Sequence, residues 1–269
     1  MTPTTVSGEC YYQRMGEHLY KPTAHAGGAW NAGEHHFGPL AGLVAHAVDR
    51  YRAARPADGL VLARISYDIL GFLPLDECEV TVETIRPGRT VELLEAVVTV
   101  AGRPVIRARA WLLTALDTAA VADTPFARLA PPETFPGWPM HEEWDCGYAR
   151  SLEVRRRTSG RGRAAAWVAT DVGLVADEPA GALASFVARV DVVNGMAVQQ
   201  HRTKWTYPNM DMTLHFHRQP EGRWTGLDTT VSFGPTGHGL TSAVLHDAGG
   251  PVGHVQQILT VRPTEGGRP

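Results

Sequence analysis

The chain repeats itself. AVVTVAGRPV at residues 96–105 recurs as AVLHDAGGPV at 243–252, an offset of 147 residues that sets Gly102 beside Gly249, Pro104 beside Pro251 and Val105 beside Val252. The same step carries RISY at 64–67 onto DMTL at 211–214, and both segments alternate in the manner of strands. In a chain of 269 residues such a repeat means two copies of one supersecondary unit filling most of the length.

Each copy has the same coarse order. In the first, Leu40, Leu43, Val44, Ala47, Val48 and Tyr51 recur at helical spacing over residues 37–54, and Pro39 suits the first turn, where its missing N–H is no loss. Strand-like runs follow at 60–72, at 79–101 with a break near 86–89, and at 104–115. The second copy opens with strand-like 152–157 and 164–170. Its helix is expected over 180–194, ending at Gly195 as a left-handed cap. Further strands are expected at 209–218, at 225–232 continuing into 240–247, and at 252–261. Residues 118–148 are rich in Pro and polar residues, a linker composition. The expected organisation is therefore one unit at 10–117, a linker at 118–148 and a second unit at 149–264. A helix that is apolar around most of its girth, as Val187, Val190, Val192 and Val193 make the second, needs burial on more than one side. The fold class is α+β, with a sheet wrapping a central helix, twice over.

Composition narrows the partners. Lys and Arg number 25 against 28 Asp and Glu, a net charge of −3, so no excess of cations is available for nucleic acid. No apolar run approaches the roughly 18 residues that cross a bilayer. The opening residues lack a basic and then apolar leader, so a cytoplasmic protein is expected. Cys10, Cys78 and Cys146 are odd in number and in no metal-ligand spacing, and read as reduced thiols. No metal or other cofactor is expected; His215 and His217 share a strand face with Asp211, but two His and one Asp lack further ligands.

The duplicated order, with PTAHAGGAWNAGEHHFGPLAGLV at the front and DMTLHFHR and GHVQQ at the back, resembles the double-hotdog acyl-CoA thioesterases. More narrowly it resembles the bacterial thioesterase-like branch of the type II acyl-CoA thioesterases, from about Tyr11 to Arg262. RPGR at 86–89, AWV at 166–168, DEP at 177–179 and DVVNG at 191–195 match in the same order. The resemblance implies a double hotdog, an acyl-CoA or acyl-carrier thioester as substrate, and one active centre of Asp, Ser or Thr, and Gln in the C-terminal copy. The family Asp opens a strand of form D-x-x-x-x-F-x-R, which here begins at Asp211 and ends at Arg218. The family hydroxyl lies between a Trp and a Gly, which from Trp224 and Gly239 lands on Ser232. The family Gln follows a small residue of the last strand, which from Gly253 leads to Gln257; a one-residue slip would send Gln256 to the site instead. Moving back 147 residues from these positions reaches Arg64, Ile85 and Ala110, none of which can do the same work, so one site is expected. The offset is free to slip in loops, Ile85 being the weakest of the pairings.

Thioester hydrolysis needs an activated water and a holder for negative charge on the carbonyl oxygen. An Asp is a poor base in water and improves when partly buried beside neutral hydrogen-bonding groups. Asp211 would leave the core by the polar face of its strand, and without the resemblance it reads as a solvated Asp. Ser232 and Gln257 both donate and accept, which suits them to orient a water. The oxyanion is assigned to backbone N–H groups at the first helix's start, near His36 and Gly38. Arg86 and Arg89 are candidate contacts for coenzyme A phosphates. A second reading, dehydratase, isomerase or cyclase chemistry on a carrier-bound intermediate, would pair His36 with Asp191; Asp191 alone reads equally as a buried structural residue. A third is an acyl-binding protein without turnover. Pairing of copies into a homodimer or higher homo-oligomer is expected from the family's sheets.

Overall fold

The computed structural model describes residues 9–56 and 59–264. Residues 1–8, where a leader would begin, lie outside the described residues. The first copy contains strands β1 (Cys10–Arg14) and β2 (Leu19–Pro22), helix α1 (Phe37–Ala53), and strands β3 (Leu60–Ile69), β4 (Cys78–Arg86), β5 (Val91–Val100) and β6 (Arg103–Thr114). Two short helices, α2 (Met140–Glu143) and α3 (Gly147–Arg150), lead into the second copy. That copy has β7 (Leu152–Gly160), β8 (Arg163–Thr170), β9 (Gly173–Val175), α4 (Ala182–Val187), α5 (Val193–Met196), β10 (Trp205–Thr206) and β11 (Asp211–Phe216). It ends with β12 (Thr225–Phe233), β13 (His238–Asp247), β14 (Gly250–Thr260) and β15 (Arg262–Pro263).

The repeat holds at the level of strand register. In the second copy Thr213 pairs Gln256 and Leu214 pairs Val255; 147 residues earlier Ser66 pairs Arg109 and Tyr67 pairs Ala108. Thr241 opposite Gln257 and Val231 opposite Thr241 are mirrored by Leu94 opposite Ala110 and Thr84 opposite Leu94. The correspondence slips after Thr84, where a bulge leaves Ile85 unpaired.

The two copies share one sheet. Among the described residues it has 13 strands in the order β7-β8-β12-β13-β14-β11-β3-β6-β5-β4-β2-β1-β9. The repeat-related strands β3 and β11 meet antiparallel at its centre, Met212 opposite Tyr67 and Leu214 opposite Ile65. At the far edge β1 of the first copy pairs parallel with β9 of the second. A contiguous core runs through both copies and takes in Met140, Trp144, Cys146 and Tyr148, so the stretch read as a linker supplies core side chains. All three cysteines are free and buried.

Helix α1 is buried over every residue from Phe37 to Val48, which explains its Ala and Gly content: neighbours approach on all sides. A Cβ on Gly42 would lie 2.5 Å from the Ala188 Cβ, and one on Gly38 would lie 2.8 Å from the Ala188 carbonyl oxygen. These two glycines, one turn apart, let α1 lie directly against the end of α4.

The second helix departs from the expected continuous run over 180–194. It stops at Val187, tightens into three-residue turns through Arg189, Val190 and Val193, and resumes as α5. Two forces act there. Tyr148 donates its hydroxyl proton to the Ala188 carbonyl at 2.5 Å, taking an acceptor that a continuing helix would use. Val190, Val192 and Val193 are β-branched and gain little from helical geometry. Gly195 is correspondingly not a left-handed cap; it sits inside α5 with ordinary φ. The tightened turn holds Asp191.

Candidate active site

The N-terminal end of α1 and the tightened turn after α4 bring a small polar cluster together. His36, the N-cap of α1, accepts the Gly38 N–H on Nδ1 at 3.1 Å. The same Nδ1 lies 3.3 Å from Asp191 Oδ2. On its other oxygen Asp191 accepts Gln257 Nε2 at 2.7 Å and Asn209 Nδ2 at 3.1 Å. Gln257 comes from β14 and is fully buried, Asn209 from the loop before β11. The His36 ring packs against Tyr148 with centroids 4.2 Å apart. A cleft of about 530 Å³ opens onto this cluster, lined among others by Trp30, His36, Phe37, Asp191, Asn194 and Asn209.

Burial sets the electrostatics. Asp191, its side chain only 5% exposed, has its pKa pushed up to about 7 by desolvation; Gln257, Asn209 and the Gly38 N–H pull it partly back. Burial likewise drives His36 down to about 3, so its imidazole is neutral near neutral pH. With the Gly38 N–H donating to Nδ1, that nitrogen is an acceptor and the ring proton is on Nε2, and Asp191 Oδ2 lies beside Nδ1 at 3.3 Å. The cluster is a carboxyl group that changes charge near neutrality, with two side-chain donors on Oδ1 and His36 Nδ1 facing Oδ2.

Two further polar atoms lie beside it. Gln257 Oε1 and Thr241 Oγ1 are buried with no partner among the described residues, and Thr241 stands directly across from Gln257 on β13. A buried acceptor or hydroxyl without a partner costs about 1–3 kcal/mol, so a site with two of them side by side is built for a polar guest.

The residues singled out from the sequence divide. His36, Gly38 and Gln257 fall in the cluster. Asp211 does not bring its carboxylate there: Oδ1 accepts the Ile258 N–H at 2.7 Å, and only its backbone carbonyl touches the site, through Asn209. Ser232 points to the exposed face of β12 while Val231 beside it is buried. The sheet's alternation thus puts Thr241, not Ser232, on the inner face next to Gln257. Gln256 points outward. Gly38 is in place, but its N–H is taken by His36 and Asp191; the Phe37 N–H, one residue earlier, has no acceptor inside its helix by position and Phe37 lines the cleft. Arg86 donates to the Val91 carbonyl across the β4–β5 turn, and neither it nor Arg89 lines the cleft, whereas Arg262 does. Asn209, Thr241 and Arg262 were missed. Thr241 and Gln257 share a face only through the β13–β14 register, which no spacing in the sequence displays.

Among the described residues the first copy has no second centre of this kind. Ala110 and Leu94 stand where Gln257 and Thr241 stand. The N-caps His36 and Gly181 are 145 residues apart, and the same step back from Asp191 reaches His46. His46 Nε2 meets Glu178 Oε2 at 3.0 Å, and Glu178 also pairs with Arg14 and Arg50, a closed ion network rather than a cleft.

Residues 26–113 match the family model described as the acyl-CoA thioesterase N-terminal domain, and residues 124–261 that described as the acyl-CoA thioesterase C-terminal domain. No curated protein sequence matches the chain. Among solved structures it resembles a putative thioesterase from Novosphingobium aromaticivorans, at 20% identity and TM-score 0.67, over 94% of this chain and 98% of that one. It also resembles the acyl-CoA thioesterase II TesB2 from Mycobacterium marinum, at 17% identity and TM-score 0.66, over 96% and 97% of the two chains. A hot dog fold protein of unknown function from Alicyclobacillus acidocaldarius aligns at 13% identity and TM-score 0.71, over 93% and 95%. At these identities the likeness is one of fold.

Proposed function

This chain belongs to the acyl-CoA thioesterase family, and on that premise we propose that Asp191 is the general base of its single hydrolytic centre. The family makes it a hydrolase of acyl thioesters. The observation that carries the residue assignment is a carboxyl group with pKa raised to about 7, buried at a cleft and held by Gln257 and Asn209.

The chemistry follows from the geometry. Ionised Asp191 takes a proton from water as the water oxygen attacks the thioester carbon. The proton comes to rest on Oδ2, where His36 Nδ1 accepts its hydrogen bond; His36 is a positioning residue. Gln257 Oε1 and Thr241 Oγ1 hold the water on its other side. The Phe37 N–H, at the positive end of α1, stabilises the oxyanion. When the tetrahedral intermediate collapses the C–S bond breaks, and the leaving thiolate recovers the proton from Asp191. Arg262 at the mouth of the cleft supplies a cation for a phosphate of the thiol carrier.

Thiol release from acyl-CoAs tests this. Asp191→Asn is expected to lose about 10²–10⁴ in rate, the usual worth of a positioned general base, while Asp211→Asn retains most of it. The reverse ranking would return the base to Asp211. The close His36–Asp191 pair favours one second reading, proton transfer on a carrier-bound hydroxyacyl group; loss of water from a 3-hydroxyacyl-CoA without thiol release would support it.

A further inference from the structure

Trp30, which lines the cleft, belongs to a group of four aromatic rings. Trp30 packs edge-on against Trp144 at 5.1 Å and against Tyr207 at 5.3 Å, and Tyr207 packs against Phe233 at 5.4 Å. An apolar aromatic wall would serve a plain hydrocarbon acyl group. This one is not apolar throughout. Trp144 and Tyr207 are 4% and 1% exposed, yet Trp144 Nε1 and the Tyr207 hydroxyl have no partner among the described residues.

Gly195 of α5 borders the indole nitrogen. It lies four residues beyond Asp191, next to cleft-lining Asn194, and a Cβ there would stand 3.4 Å from Trp144 Nε1. No side chain at that position covers the indole N–H, which solvent does not reach in this structure. Indole N–H is a donor only, and burial pushes the Tyr207 phenol up to about 12, keeping its proton on at any working pH. Two unpartnered donors on rings whose centroids are 6.2 Å apart ask for an acceptor.

Resting on the thioesterase reading above, we propose that Trp144, Tyr207 and Gly195 form a polar acyl subsite that selects thioesters carrying an acceptor oxygen beyond the thioester carbonyl, such as 3-oxoacyl or hydroxyaryl groups. Sites built to hydrogen-bond a substrate oxygen reject the analogue lacking it far more strongly than apolar pockets reject a missing methylene.

The test compares matched pairs: 3-oxobutanoyl-CoA with butanoyl-CoA, and 4-hydroxybenzoyl-CoA with benzoyl-CoA, by thiol release. The expected result is a preference of at least about tenfold in kcat/KM for the oxygenated member of one pair or both. Tyr207→Phe, which keeps the ring, and Trp144→Phe are expected to erase that preference while leaving the plain acyl rate within a few-fold. Equal kcat/KM across both pairs, or a preference untouched by Tyr207→Phe, overturns the proposal. Titration of the wild-type protein with the thioethers S-(3-oxobutyl)-CoA and S-butyl-CoA separates this from the catalytic reading. Tighter binding of the oxo compound upholds the subsite even if no thioester is cleaved; equal binding refutes it even if all are.

Discussion

Replacing Asp191 by Asn should stop the reaction and stabilise the protein at the same time. Asn keeps the side-chain hydrogen bonds on Oδ1, accepting from Gln257 Nε2 and Asn209 Nδ2, and its Nδ2 can donate toward His36 Nδ1. What it removes is a buried charge. In the folded protein the Asp191 carboxyl titrates at about 7 against an ordinary 3.8, so between those values the folded state holds a proton that the unfolded chain has released. Stability of the wild type therefore falls as pH rises from about 4 to about 7 and then levels off, at about 1.4 kcal/mol per pH unit. Three units correspond to about 4 kcal/mol lost by pH 8, an order-of-magnitude figure. Asn does not titrate, so its advantage over the wild type should be about 3 kcal/mol greater at pH 8 than at pH 5. In a chain of this size each kcal/mol moves Tm by about 2–4 °C. Thermal unfolding of both proteins at the two pH values, beside thiol release at pH 8, measures both effects. A variant destabilised equally at both pH values, or one that keeps its turnover, would refute the reasoning.

Thr241→Val should lower kcat by about tenfold or more with no loss of stability, because the hydroxyl it removes has no partner among the described residues; Ser232→Ala should change neither, and thiol release with thermal melts distinguishes the two positions. Gly42→Ala should destabilise by about 1–3 kcal/mol in denaturant melts, since the new Cβ falls 2.5 Å from that of Ala188 and pushes α1 from the turn that carries Asp191. Arg262→Ala should raise KM for acyl-CoAs in a manner that weakens with salt and leave kcat alone, whereas Arg86→Ala should leave both unchanged in steady-state assays.

Much of the fold was legible because it is written twice. A shared offset of 147 residues identified the strands that pair alike in both copies, down to Ser66–Arg109 and Thr213–Gln256. It failed first at Ile85, where a bulge on one copy has no equal on the other. Helix α1 was readable from its own spacing and from Pro39. The break in the second helix was not, because its cause is tertiary: the Tyr148 hydroxyl comes from a segment that reads as linker and takes the Ala188 carbonyl. That break also hid the residue proposed here as the base. Asp191 stood out as a lone acid in an apolar run, a signal as fit for a buried structural residue as for chemistry, while Asp211 sat on a strand with the right alternation. Alternation was correct for Asp211 and for the inner face as a whole, but it turns Ser232 outward and spends the Asp211 carboxylate on the Ile258 N–H. Which hydroxyl faces Gln257 depends on pairing between strands, information that only the assembled sheet contains.

The dependence of kcat/KM on pH for thiol release by the wild-type protein tests the assignment of Asp191 most directly. Ionised Asp191 is the active form, so kcat/KM should rise tenfold per unit below about pH 7, bend near that value and stay level above it. A profile already flat from pH 5 upward would mean that the reacting carboxylate has an ordinary pKa, and the base would have to be sought elsewhere.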